Sequence, residues 1–254
     1  MVLAIDIGNT NVVVGCFQDE EILFVERIST RQSNTALEYA VSFKSILEIY
    51  KISVKDIEGS IISSVVPSVT NTVKRAVETI TQKDALIVNH EIRTDLKIDI
   101  ENPHQLGNDL IVAAVAAMEQ YEPPMAIIDM GTATTISVID KTGTYIGGMI
   151  LPGVAISMSA LSEKTAQLPK IALESPKRFI GTNTVDCMKS GILYGTACSI
   201  DGLLDQIESE LNMPVKVLAT GGLSNLIIPY CRRKIILDDM MLLKGLKIIY
   251  QKNI

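Results

Sequence analysis

The feature that most constrains this chain is a pattern it carries twice. Leu3-Ala4-Ile5-Asp6-Ile7-Gly8-Asn9-Thr10-Asn11-Val12-Val13-Val14 and Met125-Ala126-Ile127-Ile128-Asp129-Met130-Gly131-Thr132-Ala133-Thr134-Thr135-Ile136 follow one plan: apolar run, aspartate, one apolar residue, glycine, small polar residues, second apolar run. β-Formers on both sides read as buried strands, and Gly-Asn-Thr-Asn supplies residues that tolerate tight turns and positive φ. Each copy is therefore expected as a β-hairpin whose aspartate stands where strand gives way to turn. Asp6 is suited to hold Mg²⁺ or a water on it, with the amides and hydroxyls of Gly8, Asn9, Thr10 and Asn11 cradling phosphate oxygens. An ordinary hairpin with a solvated aspartate is the alternative for the first copy alone. The repeat implies two similar half-molecules. With both carboxylates and Gly/Thr turns pointing into a common cleft, the pair reads as a nucleotide clamp.

Composition narrows the class. The chain has 254 residues, 47% hydrophobic and 20% charged, enough for one large domain or two modest ones with a real core. A net charge of −6, four Phe and no Trp leave no basic stripe or aromatic platform, which disfavours a nucleic-acid partner. Cys16, Cys187, Cys198 and Cys231 are far apart in sequence, and with only His90 and His104 beside them no zinc-type spacing can be built. They are expected as small buried thiols in a reducing cytosol. No leader is visible, and no run reaches the roughly 18 apolar residues of a membrane helix. A cytoplasmic protein with no membrane contact is expected.

Along the chain, Ile22 to Ile28 reads as a third strand. Thr35-Ala36-Leu37-Glu38 resembles a capping box opening a helix with Leu37, Val41, Phe43, Ile46, Leu47 and Tyr50 on its apolar face. Ile61 to Val66 is a strand stopped by Pro67, Thr70 to Thr81 a helix, and Ala85 to Val88 a strand, giving β-β-β-α-β-α-β. Glu101-Asn102-Pro103-His104-Gln105-Leu106-Gly107-Asn108-Asp109 then leads into an alanine-rich apolar helix from Leu110 to Met118. An aspartate at that N-terminus stays ionised and serves either as a base or as a plain cap. After the second hairpin, Tyr145 to Ile150 matches the third strand, and Thr165 to Asn183 lacks periodicity. Thr184 opens a long helix, as its cap or as a ligand contact. The strand Val215 to Thr220 ends on Gly221 and Gly222, suited to adenosine against bare backbone or simply to a tight turn. Met240 to Tyr250 is a closing apolar helix.

Six blocks, Asp6 to Asn11, Gly107-Asn108-Asp109, Asp129 to Thr135, Gly147 to Gly153, Gly181-Thr182-Asn183-Thr184 and Ala219 to Leu223, occur in the order seen in type III pantothenate kinases, and the resemblance spans essentially the whole chain. It implies an α/β fold of two ribonuclease H-like domains of the actin-like ATPase superfamily, each a mixed sheet flanked by helices, with an ATP cleft between them. Domains over 1–118 and 119–254 are expected, the last helix packing back on the first. The implied reaction is ATP-dependent phosphorylation of pantothenate to 4′-phosphopantothenate, the first step of coenzyme A synthesis, by a cytoplasmic homodimer using Mg²⁺ and K⁺ or NH₄⁺. Carried over by residue, Asp6 is the magnesium-side carboxylate, held through the phosphates. Ile7, Gly8, Asn9, Thr10, Asn11, Val12 and Val13 form the first phosphate loop, and Thr132 contacts a nucleotide phosphate, with Gly221 and Gly222 also on the ATP side. Asp109 is the base and Asp129 the monovalent-cation ligand. Ile100, Gly107, Asn108, Asp109, Leu110 and Thr184 stand on the acceptor side, Thr184 across a dimer interface.

Two positions depart from the family pattern. Leu110 stands where the family carries arginine after Gly-x-Asp, and Ile100 where it carries tyrosine. Arginine to leucine deletes a forked donor suited to a carboxylate, and losing one member of a buried charge pair costs on the order of 2–5 kcal/mol. Arg93 and Lys97 are the cations available to compensate. A weakly active nucleotide-binding relative, or a kinase of another small hydroxyl compound, are the alternatives these departures raise.

Overall fold

The structure is a computed structural model describing residues 1–254. It forms two compact units: Met1–Leu96 with Glu101–Gln120 and Met240–Ile254, and Lys97–Ile100 with Tyr121–Asp239. The chain thus passes between units more than once, rather than dividing into single stretches at 118/119.

In unit 1, β1 (Val2–Ile7), β2 (Asn11–Gln18) and β3 (Glu21–Ser29) form an antiparallel meander, followed by α1 (Ala36–Ile49), β4 (Gly59–Ser64), α2 (Pro67–Thr81) and β5 (Ala85–Ile87). The sheet runs β3-β2-β1-β4-β5, with β4 and β5 parallel to β1. The strand pleat sends alternate residues to opposite faces. Leu3, Ile5, Ile7, Val12 and Val14 pack with Phe43 and Leu47 of α1 and Val69, Val73 and Val77 of α2. The capping box at Thr35 and Glu38 is present, yet α1 buries Tyr39, Ala40, Phe43, Ile46 and Leu47, while Leu37 and Val41 face solvent. The helix is rotated from the expected face because Tyr39 is drawn inward: its hydroxyl donates to the Arg31 carbonyl at 3.1 Å and accepts from the Arg31 amide at 3.0 Å. Pro67 does not merely stop β4; it opens α2 in the first turn, where its missing N–H costs nothing.

The chain next contributes β6 (Lys97–Ile98) to the second unit and returns to unit 1 as α3 (Asn108–Gln120). Unit 2 continues with β7 (Met125–Met130), β8 (Ala133–Ile139), β9 (Thr144–Pro152), α4 (Val154–Lys164), α5 (Thr184–Leu211), β10 (Lys216–Thr220), α6 (Ser224–Ile227) and β11 (Ile236–Leu237). Its sheet runs β11-β10-β7-β8-β9-β6, the strand order of unit 1 with β6 added parallel to β9. Both units are thus mixed sheets built on one plan. Ala126, Ile128, Met130, Ile136 and Val138 pack against Leu193, Ala197, Ile200 and Leu204 of α5. Asn183, not Thr184, caps that helix, its Oδ1 accepting from the Asp186 amide at 2.9 Å. The final helix α7 (Met241–Gln251) packs with α3 in unit 1 and contacts β1, β2 and β4. Of the four free thiols only Cys16 is buried. Cys187 and Cys198 are exposed and Cys231 half-buried, contrary to expectation, because α5 turns two of them away from its packed stripe.

Candidate active site

The site begins with Asp6, next to last on β1. Its side chain leaves the sheet on the face opposite Leu3, Ile5 and Ile7, at the end from which ligands are reached in open α/β sheets. Asp6 is buried, level with Val13 on β2 and Ser63 on β4. The turn after it is braced from inside. The Gly8 amide donates to the Asn11 carbonyl at 2.9 Å, the Thr30 hydroxyl to the Gly8 carbonyl at 2.7 Å, and the Thr30 amide to the Thr10 carbonyl at 2.9 Å. Asn9, Thr10 and Asn11 are left exposed on a fixed backbone. Ile7, Val12 and Val13 are strand residues; Ile7 and Val12 anchor the loop from the core side.

The carboxyl end of β4 ties this loop to α3. The Val65 amide donates to the Ile7 carbonyl at 3.0 Å. The Ser64 side chain accepts from the Val66 amide at 3.0 Å and the Thr70 hydroxyl at 2.8 Å, and the Ser64 carbonyl accepts from Asn108 Nδ2 at 3.4 Å. Asn108 therefore positions the first turn of α3 rather than offering its amide freely. Asp109 follows, half-buried, with Oδ1 accepting the Leu110 amide at 2.9 Å. Burial pushes its carboxyl above the ordinary value of 3.8, partly opposed by backbone amides. A Cβ on Gly107 would lie 2.5 Å from Asp109 Oδ1, so glycine is what leaves room for the carboxylate. A carboxylate raised by burial and held at a helix start is a competent proton acceptor.

In unit 2, Asp129 is the counterpart, level with Thr135 on β8 and Thr220 on β10. These three share the sheet face turned away from α5. Gly221 (φ 95°) is pressed onto this aspartate: a Cβ there would lie 2.5 Å from both Asp129 Oδ1 and the Met130 nitrogen. Gly222 has open space above it. The Gly131 amide closes the turn on the Ala133 carbonyl at 3.0 Å, and Gly153 passes so close to the Thr132 carbonyl that no side chain fits. Thr132 is exposed at that turn.

The acceptor-side residues are divided between units. Gly107, Asn108, Asp109 and Leu110 lie in unit 1, and Ile100 and Thr184 in unit 2. Thr184 borders a groove of about 400 Å³ with Leu161, Leu168, Cys187, Met188, Gly191 and Ile192. Arg93 is no spare cation: its Nε holds Asp95 Oδ1 at 2.9 Å, and Lys252 Nζ holds the other oxygen at 3.0 Å. Lys97 is exposed on β6. Sequence reasoning missed Ser63, Thr135 and Thr220. Their signal is a hydroxyl at the end of an apolar strand, which gains meaning only once register sets it beside an aspartate.

Two sheets of one strand order, each ending a strand in Asp before a glycine turn, define a duplicated ribonuclease H-like fold. Solved structures share the fold. One described as a 2-dehydro-3-deoxygalactonokinase from Sinorhizobium meliloti superposes with a TM-score of 0.62 at 13% identity, covering 99% of this chain and 96% of that one. A Baf family protein from Campylobacter jejuni, described as a transcriptional activator, gives 0.60 at 20% identity, covering 99% and 98%.

Sequence relatives go further. The family model for type III pantothenate kinase matches residues 2–206. The type III pantothenate kinases of Halalkalibacterium halodurans and Syntrophus aciditrophicus are 39% identical over 254 residues and 40% over 253, each fully covered by this chain. The chain belongs to the type III pantothenate kinase family.

Proposed function

We propose that this enzyme transfers the γ-phosphoryl group of ATP to the primary hydroxyl of pantothenate, giving 4′-phosphopantothenate and ADP, the first step of coenzyme A synthesis. The observation that carries the reading is the unit 1 edge, where β4 bonds both to the end of β1, before the phosphate loop, and to Asn108, one residue before Asp109. In the transfer a bond forms between the acceptor oxygen and the γ-phosphorus, and the bond to the β,γ-bridging oxygen breaks. The hydroxyl proton passes to Asp109, and the displaced electron pair leaves with ADP. Positioning and charge neutralisation supply most of the catalysis in such reactions.

Asp6 would hold Mg²⁺ through the phosphates, and the metal would neutralise charge on the β- and γ-oxygens. The residues fit this. Beside Asp6 stands the wholly buried Ser63, whose hydroxyl has no hydrogen-bond partner within the protein, as expected where a hydrated ion completes the set. Asp129 would hold K⁺ or NH₄⁺. Its neighbour Thr135 also has a buried hydroxyl without a partner, and an all-oxygen donor set suits a hard cation. Thr132, Gly221 and Gly222 would meet the nucleotide, and Ile100, Leu110 and Thr184 the acceptor.

A homodimer is supported by the apolar groove at Thr184 and by Phe179 and Ile180, which are 62% and 74% exposed. No helix is long and apolar enough to cross a membrane, and we place the enzyme in the cytoplasm. The test is ADP release by the purified chain with MgATP, K⁺ and pantothenate, with Asp109→Asn as control. Pantothenate-dependent release lost in the variant is the expected result. Normal ATP binding with no pantothenate-dependent release rejects the assignment.

A further inference from the structure

The chain has 2 histidines in 254 residues, and folding brings them together. His90 and His104 stand with ring centroids 4.9 Å apart and ring planes at 90°, although β6 lies between them in sequence. Both are exposed, and both belong to unit 1. Neither imidazole spends a ring nitrogen on a hydrogen bond or an ion pair within the protein.

Each ring is carried on braced backbone. Asn89 Oδ1 accepts the Glu91 amide at 2.9 Å and the Ile92 amide at 3.0 Å, closing the turn around His90. Just before it, the Val88 amide donates to the Ile62 carbonyl at 2.8 Å. His104 is the middle residue of a 3₁₀ turn, Pro103–Gln105. There the Gln105 amide donates to the Asn102 carbonyl at 3.0 Å and the Leu106 amide to the Pro103 carbonyl at 3.2 Å. The backbone under both rings is thus set, and only side-chain torsions are left to adjust.

Neutral imidazole suits zinc, copper and nickel ions. Two imidazoles bound to one such ion through nitrogens at about 2.0–2.1 Å, at an angle of roughly 90–110°, place their ring centroids about 4.5–5.2 Å apart. The observed 4.9 Å falls inside that range. The centroids lie close to the Cβ–Cγ axes, so rotation about those bonds swings a nitrogen of each ring toward a shared point while the centroids stay nearly in place. No cluster of three or more His, Cys, Asp or Glu side chains forms there, so water takes the remaining positions and the pair is an open two-ligand site.

We propose that His90 and His104 chelate one divalent transition-metal ion of the nickel, copper and zinc type. From His90 the chain enters unit 2 over Lys97–Ile100 and returns to unit 1 before His104. The ion would therefore clasp the base of that excursion, joining the turn after β5 to the segment that leads into α3. Its nitrogen ligands set it apart in kind from the oxygen surroundings of Asp6 and Asp129, which suit hard cations.

The experiment titrates Ni²⁺ into the full-length, chelator-treated protein at neutral pH by calorimetry and follows the imidazoles by NMR, where only two ring systems contribute. One Ni²⁺ per chain that perturbs both rings together is the expected result. His90→Gln and His104→Gln should each weaken binding by at least about tenfold, because the second imidazole engages intramolecularly. The double variant reports what the exposed thiols Cys187 and Cys198 take up, and should bind more weakly than the parent. Both positions are exposed, so the variants are expected to fold, with melting temperatures close to that of the parent. Ni²⁺ that perturbs one imidazole alone overturns the inference, as does a loss smaller than about tenfold in either single variant. A double variant that binds as tightly as the parent also overturns it. Each of these outcomes leaves the kinase reading standing.

Discussion

The two hairpins share a sequence plan but are not interchangeable parts. In unit 1 the turn spans Gly8 to Thr10, is braced by Thr30, and lies on a sheet whose next parallel strand leads to a second carboxylate, Asp109. In unit 2 the turn is only Gly131 and Thr132, is backed by Gly153, and has Gly221 pressed against its aspartate. Asp6 has one in-register hydroxyl neighbour, Ser63. Asp129 has two, Thr135 and Thr220. The same local code has thus been set into different oxygen environments by different neighbouring strands. On the function proposed here, unit 1 would bring metal-phosphate and proton chemistry together, while the carboxylate of unit 2, with hydroxyls in register on both sides, would hold the monovalent cation.

The largest effects fall on unit 1. Asp109→Asn is expected to lower kcat by about 10²- to 10⁴-fold with ATP affinity retained, measured by ADP release and calorimetry. The same variant has a thermal signature. Because burial raises the folded-state pKa of Asp109, its neutral form is favoured in the fold, and the associated stability is present in acid and lost as pH rises through that raised value. Asp109→Asn should therefore melt higher than the parent at pH 7, with the difference closing as pH falls toward 3.8. For activity the sign is opposite: the base must be ionised, so the acid limb of kcat/KM should lie above 3.8.

Gly221→Ala follows in size and strikes unit 2. It places a methyl group 2.5 Å from Asp129 Oδ1 in a left-handed backbone, and should cost about 1–3 kcal/mol in chemical denaturation while weakening activation by K⁺. The smallest effects separate the hydroxyls. Ser63→Ala and Thr135→Val remove groups with no partner in the fold, so both should leave stability within about 1 kcal/mol of the parent. Ser63→Ala should raise the Mg²⁺ requirement and Thr135→Val the K⁺ requirement, each by about tenfold or less.

What the sequence made legible follows from locality. Strand, aspartate and glycine turn are neighbours in the chain, so both hairpins, the capping box at Thr35 and the start of α3 could be read directly. The face of α1 could not, because Tyr39 turns inward for a bond to Arg31 that no helical periodicity encodes. Ser63 and Thr220 gain their roles from parallel pairing with strands distant in sequence, which composition does not announce. The assignment of residues 97–100 to unit 2 is likewise a matter of tertiary packing. Thr184 was read as cap or contact; Asn183 takes the cap because it is the extended residue just before the helix, three positions from the Asp186 N–H that its Oδ1 accepts, while Thr184 is already helical.

The division of labour between the hairpins is tested most directly by titrating pantothenate-dependent ADP release against Mg²⁺ and K⁺ in Asp6→Asn and Asp129→Asn. Asp6→Asn should move the half-saturating Mg²⁺ upward by about tenfold or more and leave that for K⁺ in place, and Asp129→Asn should do the reverse. Two variants that shift the same ion, or an Asp129→Asn enzyme whose K⁺ response is that of the parent, would contradict the account.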